Sequence, residues 1–182
     1  MKNIFMIGMP GSGKSTLGRR VAEALHMDFL DTDAEITESE GMTPEEIIMI
    51  QGEEKLRAME HALLLRLLEK ENLFISTGGG FPVHHDNMTI MNERAITVYV
   101  KYSAEVLWER LEKDRVRPLS NSLPSLIQLL EERSEVYDKA DIIVTGEEEA
   151  NENLGNVIRA IQEYLRDGTH GAHGTPWNTT RR

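Results

Sequence analysis

The run Gly8-Met9-Pro10-Gly11-Ser12-Gly13-Lys14-Ser15-Thr16 constrains the fold of this chain more than any other stretch. It fits G-x-x-x-x-G-K-[ST] and stands between an apolar segment, Ile4-Phe5-Met6-Ile7, and a pattern in which Leu17, Val21, Ala22 and Leu25 recur at helical spacing. A buried strand thus feeds a loop that opens a helix, and this setting gives the match its force. Glycine at 8, 11 and 13 admits backbone angles that other residues avoid, so that successive N–H groups can turn inward around an anion. The positive end of the helix adds to that attraction. Lys14 brings a point charge to phosphate oxygens, and Ser15 a hydroxyl for a divalent cation. Gly11, Ser12, Gly13, Lys14, Ser15 and Thr16 therefore read as a nucleotide-phosphate site; a turn that bound nothing would have no use for the Lys-Ser pair.

Composition bounds what surrounds this loop. A chain of 182 residues can bury one good core, and no internal stretch reads as a linker, so residues 1–167 are expected to form a single domain. The formal charge of −11, from 20 basic against 31 acidic side chains, argues against a nucleic-acid groove and requires any positive site to be local. Without cysteine there are no disulfides, thiolate nucleophiles or thiolate metal sites, which suits a reducing compartment. No apolar run approaches the roughly 18 residues of a membrane span. The expectation is a soluble, cytoplasmic monomer with neither a membrane nor a nucleic acid as partner.

Apolar β-prone runs alternate with amphipathic stretches along the chain. Phe29-Leu30 leads into Asp31-Thr32-Asp33, and Leu73-Phe74-Ile75 leads into Ser76 and Gly78-Gly79-Gly80; Ile96 to Val100 and Asp141 to Thr145 follow. About five strands separated by helices predict an α/β fold of three layers, helices covering both faces of a parallel sheet. Ligands on such sheets collect at the carboxyl ends of the strands. The phosphate loop, Asp31/Asp33 and the glycine triplet each follow a strand directly, so they are expected to converge. Thr43-Pro44-Glu45-Glu46 carries the signals of a capped helix start, running to about Ile50, and Gly52 then breaks it. A longer helix is expected from Glu53 to Lys70, and others over Asp86–Glu93, Ser103–Lys113, Pro124–Tyr137 and Asn151–Arg166. Residues 168–182, rich in Gly, Thr and His, read as a disordered tail.

Several side chains suggest chemistry only in combination. Asp31 and Asp33, one residue apart, would carry like charges on one side of an extended strand, costly unless a cation or hydroxyl donors share them. Alternatively Asp33 caps a helix beginning at Ala34. Arg57 and Glu60 lie three apart on the long helix, a spacing that suits either a surface pair or an oriented guanidinium. Arg110, Lys113, Arg115 and Arg117 gather cations just before the loop residues Pro118 to Ser122, either as a charge-paired helix end or as a lid that closes over phosphate.

Taken in order, four blocks resemble the shikimate kinase family, small phosphate-loop kinases related in fold to the nucleoside monophosphate kinases. They are Gly8 to Thr16; Phe29-Leu30-Asp31-Thr32-Asp33; Gly52-Glu53 with Arg57 and Glu60, followed by Gly78-Gly79-Gly80; and Arg117-Pro118-Leu119 followed by Glu132-Arg133 and Tyr137. The likeness runs from Ile4 to about Leu165. It implies transfer of the γ-phosphoryl of ATP to the 3-hydroxyl of shikimate, with Mg²⁺, in the route to chorismate and the aromatic amino acids. It also implies a substrate-binding helical region at about 31–62 and a lid at about 112–123. By the same resemblance Arg57 and Arg133 hold the shikimate carboxylate, Asp33 accepts from its hydroxyls and takes the attacking proton, and the backbone at Gly79 helps to orient the ring, with Gly78 and Gly80 in the same substrate site. Ser15 binds Mg²⁺ directly and Asp31 through water, Arg110 stacks on adenine, and Arg117 closes over the γ-phosphate. Lys14, Asp33 and Arg117 are the expected catalytic residues. Ile48 and Leu56 stand where the family often has phenylalanine. Two other readings share the loop: a kinase of the same fold acting on gluconate or a nucleoside monophosphate, and a nucleotide-binding regulator without catalysis.

Overall fold

A computed structural model of the chain describes residues 1–113, 122–147, 150–167 and 177–178. The expected lid cation Arg117, with Arg115, lies outside the described residues. Strands β1 (Ile4–Ile7), β2 (Asp28–Asp31), β3 (Leu73–Ser76), β4 (Ile96–Lys101) and β5 (Ile142–Thr145) pair in parallel in the order β2-β3-β1-β4-β5. Successive strand residues point to opposite faces, so the complete burial of all of β1 and β3 means that helices cover both faces. The α/β architecture of three layers is therefore as expected.

Eight helices connect the strands among the described residues: α1 (Lys14–Ala24), α2 (Thr32–Glu40), α3 (Pro44–Gln51), α4 (Glu53–Leu67), α5 (Asn87–Arg94), α6 (Ala104–Lys113), α7 (Leu123–Tyr137) and α8 (Ala150–Arg166). The start of α3 carries the full reciprocal cap, Glu46 N–H donating to Thr43 Oγ1 and Thr43 N–H to Glu46 Oε2. Gly52, at φ 90°, then turns the chain into α4. Helix α2 has little sequence signature: in Thr-Asp-Ala-Glu-Ile-Thr-Glu-Ser-Glu only Thr32 and Ile36 are buried. It exists because Asp31 caps it, accepting from the N–H groups of Asp33 at 3.0 Å and Ala34 at 3.2 Å, and because Gly41 ends it at φ 68°.

Within residues 168–182, expected to be a tail without structure, Trp177–Asn178 pair in parallel with Ile142 and Ile143 as a sixth strand, β6, and the rest of that stretch lies outside the described residues. An edge strand offers unpaired main-chain groups, and backbone of nearly any sequence can satisfy them. Side-chain composition therefore carried no signal for it.

The connections place the site. Between β1 and β2 the chain passes over β3, and between β3 and β4 it passes over β1, so β1 sits where the winding changes direction. The loop leaving β1 is Gly8 to Gly13. It opens at the carboxyl edge of the sheet, where the loops after β2 and β3 also emerge.

Candidate active site

A cavity of about 540 Å³ lies at this edge. Gly11, Gly13, Lys14, Ser15 and Thr16 line one end, Asp31 and Asp33 one flank, and Arg57, Gly78, Gly79, Gly80 and Arg133 the other end, with Arg110 beside the loop. The predicted residues that fall within the described chain are thus brought together, apart from Ser12. That side chain is 2% exposed and turns inward, its hydroxyl donating to the Met9 carbonyl at 2.8 Å.

The loop end is built mainly from backbone. Gly11 (φ 81°) and Gly13 (φ 75°) adopt left-handed angles, and a Cβ on Gly11 would stand 2.9 Å from Leu111 of α6, so glycine lets that helix lie against the loop. Lys14 folds back to donate to the Met9 carbonyl at 2.7 Å and to Ser12 Oγ at 3.3 Å. Burial lowers its pKa from 10.5 to about 8, against the pull of Asp33 and Asp31. A polyanion arriving beside this ammonium would offset the burial that lowers its pKa.

Asp31 and Asp33 do not share one side of an extended strand; they straddle a strand-to-helix junction. Asp31 uses one oxygen for the cap of α2 and the other to accept from Ser15 Oγ at 2.5 Å, which ties the start of α2 to the start of α1. The cap is therefore Asp31, not Asp33. Asp33, in the first turn, is left facing the cavity, and burial followed by the charges of Asp31 and Glu60 raises its pKa from 3.8 to about 6, with Lys14 opposing.

The glycine triplet explains the far end. A Cβ on Gly78 would lie 2.5 Å from Asp33 Oδ1, one on Gly79 would lie 2.8 Å from Arg133 Nη1, and one on Gly80 would collide with the Arg57 guanidinium. Each glycine leaves room for one of the three polar side chains expected to meet the substrate. The Gly78 N–H donates to Thr32 Oγ1 at 3.0 Å, and the Tyr137 hydroxyl to the Gly79 carbonyl at 2.6 Å, which fixes the triplet between α2 and α7.

The two arginines have different surroundings. Arg57 donates through Nη1 to Glu60 at 2.8 Å and through Nη2 and Nε to Glu53 Oε1 at 2.7 and 3.2 Å. Arg133 is 7% exposed, and its Nη1 is buried without a hydrogen-bond partner among the described residues. A guanidinium N–H buried and unbonded is costly, and an anion arriving in the cavity would relieve that cost.

Comparison with known proteins decides among the phosphate-loop kinases. The sequence model of the family described as shikimate kinase matches residues 10–166. The chain belongs to the shikimate kinase family. A shikimate kinase of Histophilus somni is 36% identical over 170 residues, covering 91% of this chain and 97% of the relative. One from Clostridium botulinum is 38% identical over 168 residues, 90% of this chain and 98% of the relative. Among solved structures, shikimate kinase from Acinetobacter baumannii in complex with shikimate superposes with a TM-score of 0.83 at 31% identity, covering 92% of this chain and 95% of that one. The chain is accordingly an ATP-dependent kinase with a phosphate loop. No helix among the described residues is long and apolar enough to cross a membrane.

Within this family frame, Ile48 and Leu56 line the cavity and keep that wall apolar. Sequence reasoning missed the two-sided hold of Glu53 on Arg57, although Glu53 stands four residues before Arg57 on α4, a spacing at which such pairs form. It also gave no role to the Tyr137 hydroxyl, whose bond to Gly79 spans 58 positions of sequence. Nothing local could have revealed that bond.

Proposed function

We propose that this chain transfers the γ-phosphoryl group of ATP to the 3-hydroxyl of shikimate, giving shikimate 3-phosphate and ADP. The observation that carries the reading is the unpartnered Arg133 Nη1 beside Arg57, in the same cavity as the phosphate loop and Asp33. Shikimate offers one carboxylate and three hydroxyls; the cavity offers two guanidinium groups, one free carboxylate and a glycine strip. A fold alone would not choose the acceptor.

In this reading the carboxylate docks on Arg133 and on Arg57, which Glu53 and Glu60 hold in one orientation. Asp33 accepts from the ring hydroxyls. As the 3-hydroxyl oxygen bonds to the γ-phosphorus, the bond from that phosphorus to the β–γ bridging oxygen breaks and Asp33 receives the hydroxyl proton. Lys14 turns from the Met9 carbonyl to the β- and γ-phosphate oxygens and stabilises the charge that shifts between them. Arg117 is assigned the lid role over the γ-phosphate, and Arg110 the stacking role on adenine.

The site suits magnesium carried in with the nucleotide. Ser15 Oγ and the Asp31 carboxylate meet beside the phosphate loop, and no group of three or more His, Cys, Asp or Glu that could hold a metal occurs among the described residues. So small a donor set fits an ion whose other ligands are phosphate oxygens and water. Ser15 and Asp31 would hold it, and when bound it neutralises charge on the β- and γ-phosphates. The same reading takes the enzyme as a cytoplasmic monomer.

A coupled ADP-release assay with MgATP tests the proposal. ADP should form when shikimate is added, and ³¹P NMR should show the 3-phosphate ester. Release stimulated by gluconate or a nucleoside monophosphate, and not by shikimate, would replace this acceptor with another.

A further inference from the structure

The nucleotide side of the cavity holds an arrangement that the phosphate loop does not account for. Tyr102, between β4 and α6, is 6% exposed, and Arg110 Cζ lies 4.2 Å from its ring centroid. A Cβ on Gly146 would collide with the Tyr102 ring, so the ring also lies against bare backbone beyond β5. Arg110 Nη2 donates to the Glu147 carbonyl at 3.3 Å. Glu147 is fixed in turn: Asn153, 3% exposed, accepts from its N–H and donates to its carbonyl, both at 2.7 Å.

A guanidinium is planar and has two faces; here its Cζ stands over an aromatic ring at stacking distance while Nη2 is tied to a pinned carbonyl. Arg110 also lines the cavity with Gly13, Ser15 and Thr16. What remains to meet a ligand is the second face, beside the residues that would take the phosphates. A long arginine side chain normally loses rotamer freedom when it stacks on a ligand. Tyr102 removes much of that loss by flattening Arg110 before the ligand arrives.

We propose that Tyr102 is a positioning residue for the nucleotide base: it holds the Arg110 guanidinium flat so that its free face stacks on the purine of ATP. Tyr102 acts through Arg110 and does not itself touch the nucleotide. This rests on the reading that the cavity binds ATP.

Calorimetric titration of the full chain with MgATP and, separately, with magnesium tripolyphosphate distinguishes the base from the phosphates. Tyr102→Leu should weaken ATP about tenfold and leave tripolyphosphate unchanged, as expected for loss of base stacking alone. Tyr102→Phe, which keeps the ring, should match the wild type. Adding Tyr102→Leu to Arg110→Ala should cost nothing further, because the effect travels through Arg110. In turnover the KM for ATP should rise while kcat and the KM for shikimate hold. Equal weakening of ATP and tripolyphosphate, no weakening of either, or a full further loss in the Arg110→Ala background would overturn the proposal. Should Tyr102→Leu fail to fold, Arg110→Lys decides: it keeps the charge without the planar face, and wild-type ATP affinity there would overturn the stack. Failure of the underlying reading looks different, since the wild type itself would then neither bind MgATP nor release ADP with shikimate.

Discussion

At the loop end of the cavity one run of chain, Gly8 to Thr16, supplies nearly every polar group, whereas at the far end Asp33, Arg57, the glycine triplet and Arg133 come from four separated segments. The cations differ accordingly. Lys14 bonds within its own loop, to Met9 and Ser12, with two of its three N–H donors. Arg57 is locked from both sides by Glu53 and Glu60, while Arg133 Nη1 has no hydrogen-bond partner among the described residues. The far end therefore pairs a rigid cation with an open one, the form that the proposed carboxylate clamp requires.

The largest expected effect lies at the loop end. Lys14→Ala should lower kcat/KM by about a thousandfold, the scale for losing a charge aimed at the transferring group. Its melting temperature should stay level or rise, because an ammonium whose pKa burial pulls down from 10.5 to about 8 opposes folding at neutral pH. Near-normal turnover in the folded variant would erase the distinction between the two ends.

The next effect separates the two arginines. Both Arg57→Ala and Arg133→Ala should raise the KM for shikimate about ten- to hundredfold with little change for ATP, as expected for a charged hydrogen bond of roughly 1.5–3 kcal/mol. Stability should divide them. Removing Arg57 strands Glu60, 2% exposed and already pushed above the usual carboxylate range by burial. Breaking such a buried pair costs about 3–5 kcal/mol. Removing Arg133 takes from Glu60 only an attraction weaker than that of Arg57, so its melting temperature should fall much less than that of Arg57→Ala. Thermal melts of the two variants with no ligand present check this, and equal destabilisation would mean that the clamp is not divided into rigid and open halves.

What was legible in the sequence follows the same division. The loop end could be read because its residues are contiguous and its chemistry repeats a strand–loop–helix pattern. The far end could be read only through resemblance: Arg133 sits on α7 among Glu131, Glu132 and Glu135, and nothing local says that it is buried and faces Gly79 across the fold. The glycine triplet was legible as backbone that must approach something closely. That its neighbours are the site's own Asp33, Arg133 and Arg57 needed the tertiary structure. Helix α2 was legible only as the alternative in which Asp33 caps a helix at Ala34, because a single aliphatic residue docks it; that the cap is Asp31 depends on where the preceding strand ends.

A smaller effect is set by pH. Asp33 should be ionised above its raised pKa, so turnover should fall about tenfold per unit below about pH 6. Stability moves in the opposite sense. Between about pH 4 and 6 the folded chain keeps the Asp33 proton that the unfolded chain releases, so this group favours folding at low pH and its contribution is lost as pH rises through 6. Asp33→Asn should therefore melt higher than the wild type at pH 7.5, match it near pH 3.5, and be nearly inactive throughout. On the alkaline side, kcat/KM for ATP should decline above about pH 8 as Lys14 loses its proton, and saturating ATP should move that limb upward. A pH profile flat from 5 to 9 would detach both groups from the chemistry.

The most direct measurement of the central claim is a cycle pairing the clamp with the acceptor's charge: KM for shikimate and for an analogue lacking the carboxylate, each with wild type and Arg133→Ala. If the open guanidinium meets that carboxylate, removing either partner should weaken the acceptor about ten- to hundredfold, and removing both should weaken it scarcely more than removing one. Losses that simply multiply would contradict the account and place the carboxylate elsewhere in the cavity.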